Sequence, residues 1–256
     1  MISAFCCFTV YIPGKFFMKF RLTLFHLLIF SMLASAQKPA PKDTFDITSH
    51  AMQFPHHYKK WRFQVSAGLS MVKPPEDLLE SAIQAPLANV HLTFGLPWHL
   101  LLESDLTTII VSNQLRAGPR ISFLVRNFGI KGGWDIAYVY GQLKQSGFNN
   151  STQAWMHYPN ISFGYKLKKM AFTLKGELAI VGKVSTKSGE IEVSRSKTFL
   201  NGGTLSFYVE QRIHHNKVFI IGLKDNYVKF YWPTWMLFST FNRFYHIPEL
   251  YISWIL

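Results

Sequence analysis

The feature that most constrains this chain is a hydropathy period of two. In WRFQVSAGLSM, Trp61, Phe63, Val65, Ala67, Leu69 and Met71 alternate with Arg62, Gln64, Ser66, Gly68 and Ser70. Successive side chains of a strand point to opposite faces, so this segment has one apolar face and one polar or small face. The pattern returns around Ala88–Phe94, Leu115–Val125, Trp134–Tyr140, Ile161–Leu167, Phe172–Ile180 and Leu205–Val209, and in the terminal Leu250, Ile252, Trp254 and Leu256. It is blurred after Trp98, where Leu101 breaks the rule, and mixed over Val218–Lys229. Soluble sandwiches and barrels also alternate, but they place apolar side chains inside and polar ones outside. Here the polar set is Gly, Ser and opposite charges while the apolar set is large and aromatic, as expected for strands with lipid on one side and a polar lumen on the other.

Beyond Leu33 no apolar run approaches the ~20 residues that a membrane-spanning helix needs. Only helices and closed sheets satisfy every backbone group in lipid. The expected fold is therefore all-β: an up-and-down antiparallel transmembrane β-barrel over residues 61–256, with about ten strands and roughly eight to twelve possible. Connection lengths agree with it. Short turns fall near Leu96-Pro97, Asn127 to Lys131, Lys168-Lys169 and His214 to Lys217, and they alternate with longer connections at 72–86, 144–153, 185–202 and 230–246. Only the connection near Ser112-Asn113 is short where a loop is expected.

The N-terminus reads as an export signal. From Met18, Lys19 and Arg21 form a basic region, Leu22 to Leu33 an apolar core, and Ala34-Ser35-Ala36 a small-residue cleavage site, with cleavage expected after Ala36. The expected organisation is an extension plus signal peptide over 1–36, with Met18 as the true start, then a flexible periplasmic lead-in over 37–60, rich in Pro, His, Lys and Thr and without periodicity. Cys6 and Cys7 are the two cysteines. Their removal with the leader excludes a disulfide framework and thiolate chemistry.

The net charge is +13, and loss of Lys15, Lys19 and Arg21 lowers it by three, to +10. The basic residues are scattered instead of clustered on one face, which argues against nucleic acid and for anionic headgroups or lipopolysaccharide phosphates.

On the signal peptide, the alternating strands and the terminal LYISWIL, residues Met18 to Leu256 resemble the small outer-membrane β-barrel proteins of Gram-negative bacteria. That resemblance implies residence in the outer membrane, contact with its lipid and lipopolysaccharide, and recognition of the last strand by the barrel-assembly machinery. A terminal Phe is commoner in that family than Leu256. The resemblance identifies an architecture and transfers no catalytic residue.

The inward charges are expected to be Arg62, Glu103, Asp105, Arg116, Arg120, Asp135, Lys175, Glu177, Glu210, Arg212 and Lys224, tolerable in a small lumen if paired or hydrated. A tight hairpin about Val111 and Ser112 would set Glu103 against Arg120. The expected function is a structural barrel or a narrow pore or small-molecule conduit. An alternative is a barrel enzyme acting on lipid, lipopolysaccharide or peptide, with Glu103 and Asp105 activating water and His246 assisting; another is a surface adhesin. No nucleophile elbow, Walker loop or dinucleotide fingerprint occurs. His56-His57 and His214-His215 read as exposed residues, and neither metal nor cofactor is expected. Trp61, Trp98, Trp134, Trp232, Trp235 and Trp254 are expected in interfacial girdles. The loop Phe230 to His246 is too aromatic to be simply solvated, and a short helix is expected from Pro75.

Overall fold

Alternation along a strand buries one face only if the sheet closes or stacks, and here it closes. The computed structural model describes residues 46–75, 84–145, 148–213, 217–235 and 243–256. The signal peptide, the cleavage site, Cys6 and Cys7, most of the helix expected from Pro75, and His214-His215 lie outside them.

Ten strands are described: β1 (Phe63–Val72), β2 (Ala85–Gly95), β3 (Leu100–Ile109), β4 (Ser112–Val125), β5 (Phe128–Gln145), β6 (Phe148–Lys166), β7 (Met170–Ser188), β8 (Ile191–Arg212), β9 (Val218–Val228) and β10 (Tyr245–Ile255). Each pairs antiparallel with its sequence neighbour, and β1 pairs with β10 over Ser66↔Ile255 to Val72↔Glu249, closing an up-and-down barrel. Over the span where all ten strands pair, closure leaves no sheet edge with unpaired backbone groups.

Every one of the ten strands presents large apolar side chains outward. Leu69, Leu92, Leu102, Leu115, Phe123, Ile136, Phe163, Leu174, Leu205, Leu223 and Leu250 are all exposed. An apolar surface that runs round the whole wall far exceeds the few hundred Å² tolerated on a water-facing monomer. Trp61, Trp98 and Trp254 are exposed at the end of the barrel where β1 begins, here the proximal end, and Trp134 is exposed on the wall.

Strand length is uneven. β5 to β8 have 18, 19, 19 and 22 residues, whereas β1 to β3, β9 and β10 have 10 or 11. About 9–11 tilted residues cross a bilayer, so the four long strands continue past it. They do so at the distal end, because their proximal ends are tied by the short turns after Val125 and Lys166. The loops expected at 144–153 and 185–202 are thus mostly paired strand. Their sequence reads as loop because strand beyond the membrane meets water on its outer side, which removes the hydropathy contrast. The short connection near Ser112-Asn113 is a two-residue turn, Ile110-Val111, closed by Ile109↔Ser112.

Candidate functional site

The lumen is filled in three layers. The proximal layer is built by residues 46–60, expected to be a flexible lead-in, and the structure corrects that expectation. Ile47, Ala51, Met52 and Phe54 are fully buried, and His56 and Tyr58 nearly so. The segment enters through a short 3-10 turn, Ile47–Ser49, capped by Asp46, whose carboxylate accepts the Thr48 amide at 3.1 Å. It carries no periodicity because its partners surround it on all sides instead of lying along one face.

Glu210, an inward residue of β8, holds this plug by its backbone. Its Oε1 accepts the amides of Met52 (2.7 Å) and Gln53 (3.1 Å), and its Oε2 accepts that of Phe54 (2.6 Å). Three consecutive N–H groups on one carboxylate form an anion nest with the ligand supplied by the wall. Tyr58 donates its hydroxyl to the Met52 carbonyl at 2.7 Å, and Lys131 reaches the same carbonyl at 3.4 Å. Inward glycines make room. A Cβ on Gly129 would strike the Pro55 carbonyl oxygen, and one on Gly164 would lie 2.6 Å from both Phe54 and Pro55.

The middle layer is a chain of alternating charge that runs Lys131, Glu103, Arg120, Asp135, Arg116, Glu177, Lys175. Lys131 Nζ is 2.7 Å from Glu103, which also pairs with Arg120; Arg120 Nη2 is 2.7 Å from Asp135. Arg116 grips Asp135 through Nε at 2.7 Å and Glu177 at 2.8 Å, and Lys175 closes the run at 2.9 Å from Glu177. Asn160 donates to Asp135 at 3.1 Å, and Arg116 lies 4.5 Å over the Tyr158 ring. Glu103, Arg120, Lys131 and Asp135 are almost fully buried, so each charge is sustained by its neighbours instead of by water. Glu103 and Arg120 pair although they are offset in register, Glu103 standing opposite Gly118 and Arg120 opposite Leu101.

The remaining expected lumen charges are placed separately. Lys224 pairs with Glu249 at 2.7 Å. Glu210 serves the plug. Arg62 and Arg212 lie within electrostatic reach of His50, beside the proximal turn of the plug. Sequence reasoning missed Lys131 because it assigned Asn127 to Lys131 to a turn; the alternation of Phe128 and Ile130 with Gly129 and Lys131 was the available signal. His91 was missed as well. Its Nδ1 bonds Asp105 and its Nε2 lies 3.2 Å from Thr93 Oγ1.

The distal layer is aromatic. Phe230 to Trp235 turn into the mouth, where Trp232 and Trp235 are buried against Val139, Ala154, Met156 and Val181. These two tryptophans were expected in an interfacial girdle; the structure places them inside, because the segment that follows β9 folds back over the lumen. Asn201 clamps the segment, accepting the Phe230 amide at 2.6 Å and donating to its carbonyl at 2.7 Å. Residues 236–242 of this loop lie outside the described set. Between the charge layer and the roof is a cavity of 120 Å³, lined among others by Asn89, Asp105, Lys224, Tyr251 and Trp232.

The catalytic alternative does not assemble. His246 is on the outer wall, 68% exposed and 3.0 Å from Asp225, so the barrel wall separates it from Glu103 and Asp105. Glu103 has both oxygens engaged by cations. Thr93, His91 and Asp105 follow the order of a hydroxyl, imidazole and carboxylate relay, but Thr93 is fully buried and no substrate can reach its oxygen. No group of three or more metal-ligating side chains occurs among the described residues.

No protein-family model and no curated protein matches the chain. Among solved structures it is similar to Neisserial surface protein A (NspA), at 13% identity and TM-score 0.38, over 76% of this chain and 96% of that one. It is also similar to the translocator domain of the autotransporter NalP from Neisseria meningitidis, at 9% identity and TM-score 0.37, over 75% and 87%. CdiB from Acinetobacter baumannii is similar at 10% identity and TM-score 0.32, over 64% of this chain and 31% of CdiB. Likeness at this level assigns no residue a role, and the fold stands on the strand pairing itself.

Proposed function

We propose that the protein is an integral outer-membrane β-barrel with a closed lumen: a structural barrel with a sealed interior, not an open diffusion pore. The observation that carries this reading is occlusion at both ends, by residues 46–58 on Glu210 and by Phe230–Trp235 on Asn201. The continuous apolar exterior and the pairing of β1 with β10 support the membrane location. Outer-membrane lipid and lipopolysaccharide are the partners such a surface meets, and the apolar alternation of β10 suits recognition by the barrel-assembly machinery.

A narrow conduit is the second reading, favoured by the polar cavity between plug and roof. Two measurements decide between them. Membrane fractionation with heat-modifiable gel mobility places the barrel, and purely soluble material rejects the proposal. Planar-bilayer recording then reads the lumen: the intact chain gives no steady conductance, and a steady ohmic pore from it rejects closure. Discrete openings after removal of residues 46–58 favour the conduit.

A further inference from the structure

Beyond Gly202 the distal part of β8 outruns β9 and pairs with β7 alone, and the β7–β8 hairpin carries an unusual outward face. Lys183 and Lys187 stand on β7, Arg195 and Lys197 on β8, all exposed. Lys183 and Lys197 are direct cross-strand partners, an arrangement of like charges that works against the pairing it sits on. The carboxylate in their midst is Glu192, which accepts the Ser185 hydroxyl at 2.6 Å and lies within electrostatic reach of Arg195, Lys187 and Lys183. Three cations therefore gather round one acid, Lys197 stands beside Lys183, and Glu190 lies at the hairpin tip.

Height gives the group its meaning. Lys183 is the register partner of Trp155, which is half exposed on β6, and the next outward pair towards the proximal end is Ile180 with the exposed Leu200. An exposed tryptophan above a leucine marks the passage from hydrocarbon to headgroups. The cations begin at that level and continue outward.

We infer that Lys183, Lys187, Arg195 and Lys197 form a ledge that docks the phosphate groups of a phosphorylated disaccharide lipid in the outer leaflet, with Trp155 and Leu200 against the first methylenes of its acyl chains. This deepens the outer-membrane reading and rests on it. Charge complementarity selects phosphate. The extent of the ledge selects the multiply phosphorylated headgroup: Lys183 to Lys187 spans about 13 Å of strand, so two separated phosphates occupy it where one phosphodiester engages a single pair of cations. The Lys183–Lys197 repulsion is then relieved by an anion seated between them.

The test uses the full chain, purified in mild detergent and titrated with a bis-phosphorylated disaccharide lipid and its mono-phosphorylated counterpart, with bound lipid counted by native mass spectrometry. Removing two headgroup-level cations in the K183Q/K197Q variant is expected to weaken bis-phosphorylated lipid binding by about 30-fold. K183R/K197R retains binding, and the mono-phosphorylated lipid binds the unaltered chain more weakly. Equal binding by the unaltered chain and K183Q/K197Q, both keeping heat-modifiable mobility and fractionating with the outer membrane, overturns the ledge alone. Absence of the unaltered chain from that fraction overturns the parent reading and the ledge with it.

Discussion

Replacing Glu210 by alanine should free the plug while leaving the barrel closed. The carboxylate accepts three amides in sequence, from Met52, Gln53 and Phe54, at 2.7, 3.1 and 2.6 Å. A buried backbone N–H left without an acceptor costs about 1–3 kcal/mol, so three cost roughly 3–9. Water entering the space vacated by the side chain recovers part of that, which sets the expected loss at about 3–5 kcal/mol. At about 1.4 kcal/mol per decade, the docking equilibrium moves by roughly 10² to 10⁴ towards the released plug. Hydrogen exchange followed by mass spectrometry reads this directly, because the three amides are themselves the reporters: exchange in a peptide covering 50–58 should accelerate by that factor. Amides of β4 and β5 should keep their protection. Glu210→Gln, with one acceptor oxygen and an amide donor that opposes the nest, should fall between the two. Unchanged exchange over 50–58 in the alanine variant, with heat-modifiable mobility preserved, would refute the claim that Glu210 holds the plug.

Other outcomes follow from the same geometry. Gly129→Ala should release the plug as Glu210→Ala does, since its Cβ meets the Pro55 carbonyl oxygen; protection over 50–58 equal to that of the unaltered chain would contradict the glycine seat. Arg120→Ala strips the shared cation from Glu103 and Asp135 and should cost about 3–5 kcal/mol of barrel stability, read as a lower temperature for the heat-induced mobility shift; an unchanged temperature would contradict the role of Arg120 in the charge chain. His56 is buried in the plug, which lowers its pKa to about 4, and its Nδ1 donates to the Phe54 carbonyl at 2.9 Å. A histidine with a depressed docked pKa stabilises docking fully above its free value near 6.5 and loses that contribution as pH falls towards 4, a change of roughly 3 kcal/mol. Exchange over 50–58, corrected for its intrinsic pH dependence, should therefore quicken across that window, and His56→Gln should flatten the response.

Much of the barrel was legible in the chain because its cause is local. Asp135 and Ala137 point in and Trp134 and Ile136 point out for no reason beyond the two-residue period, and one register error would have turned every one of them to the wrong side. Lengths were less legible. Where β5 to β8 leave the membrane their outer face meets water, and the contrast that marks a strand fades although the backbone pairing continues.

The amino-acid sequence by itself determined which side chains face lipid, which face the lumen, and that the lumen holds enough opposite charge to be paired. Tertiary structure alone decided what that lumen became. The chain of charge from Lys131 to Lys175 draws on β3, β4, β5 and β7, and which carboxylate meets which guanidinium depends on barrel closure and shear. The plug meets Glu210 across more than 150 residues of chain, and Trp235 seats over Gly141 from a distal loop. Such contacts leave no period in the sequence, because a segment enclosed by partners on every side has no single face for a pattern to mark.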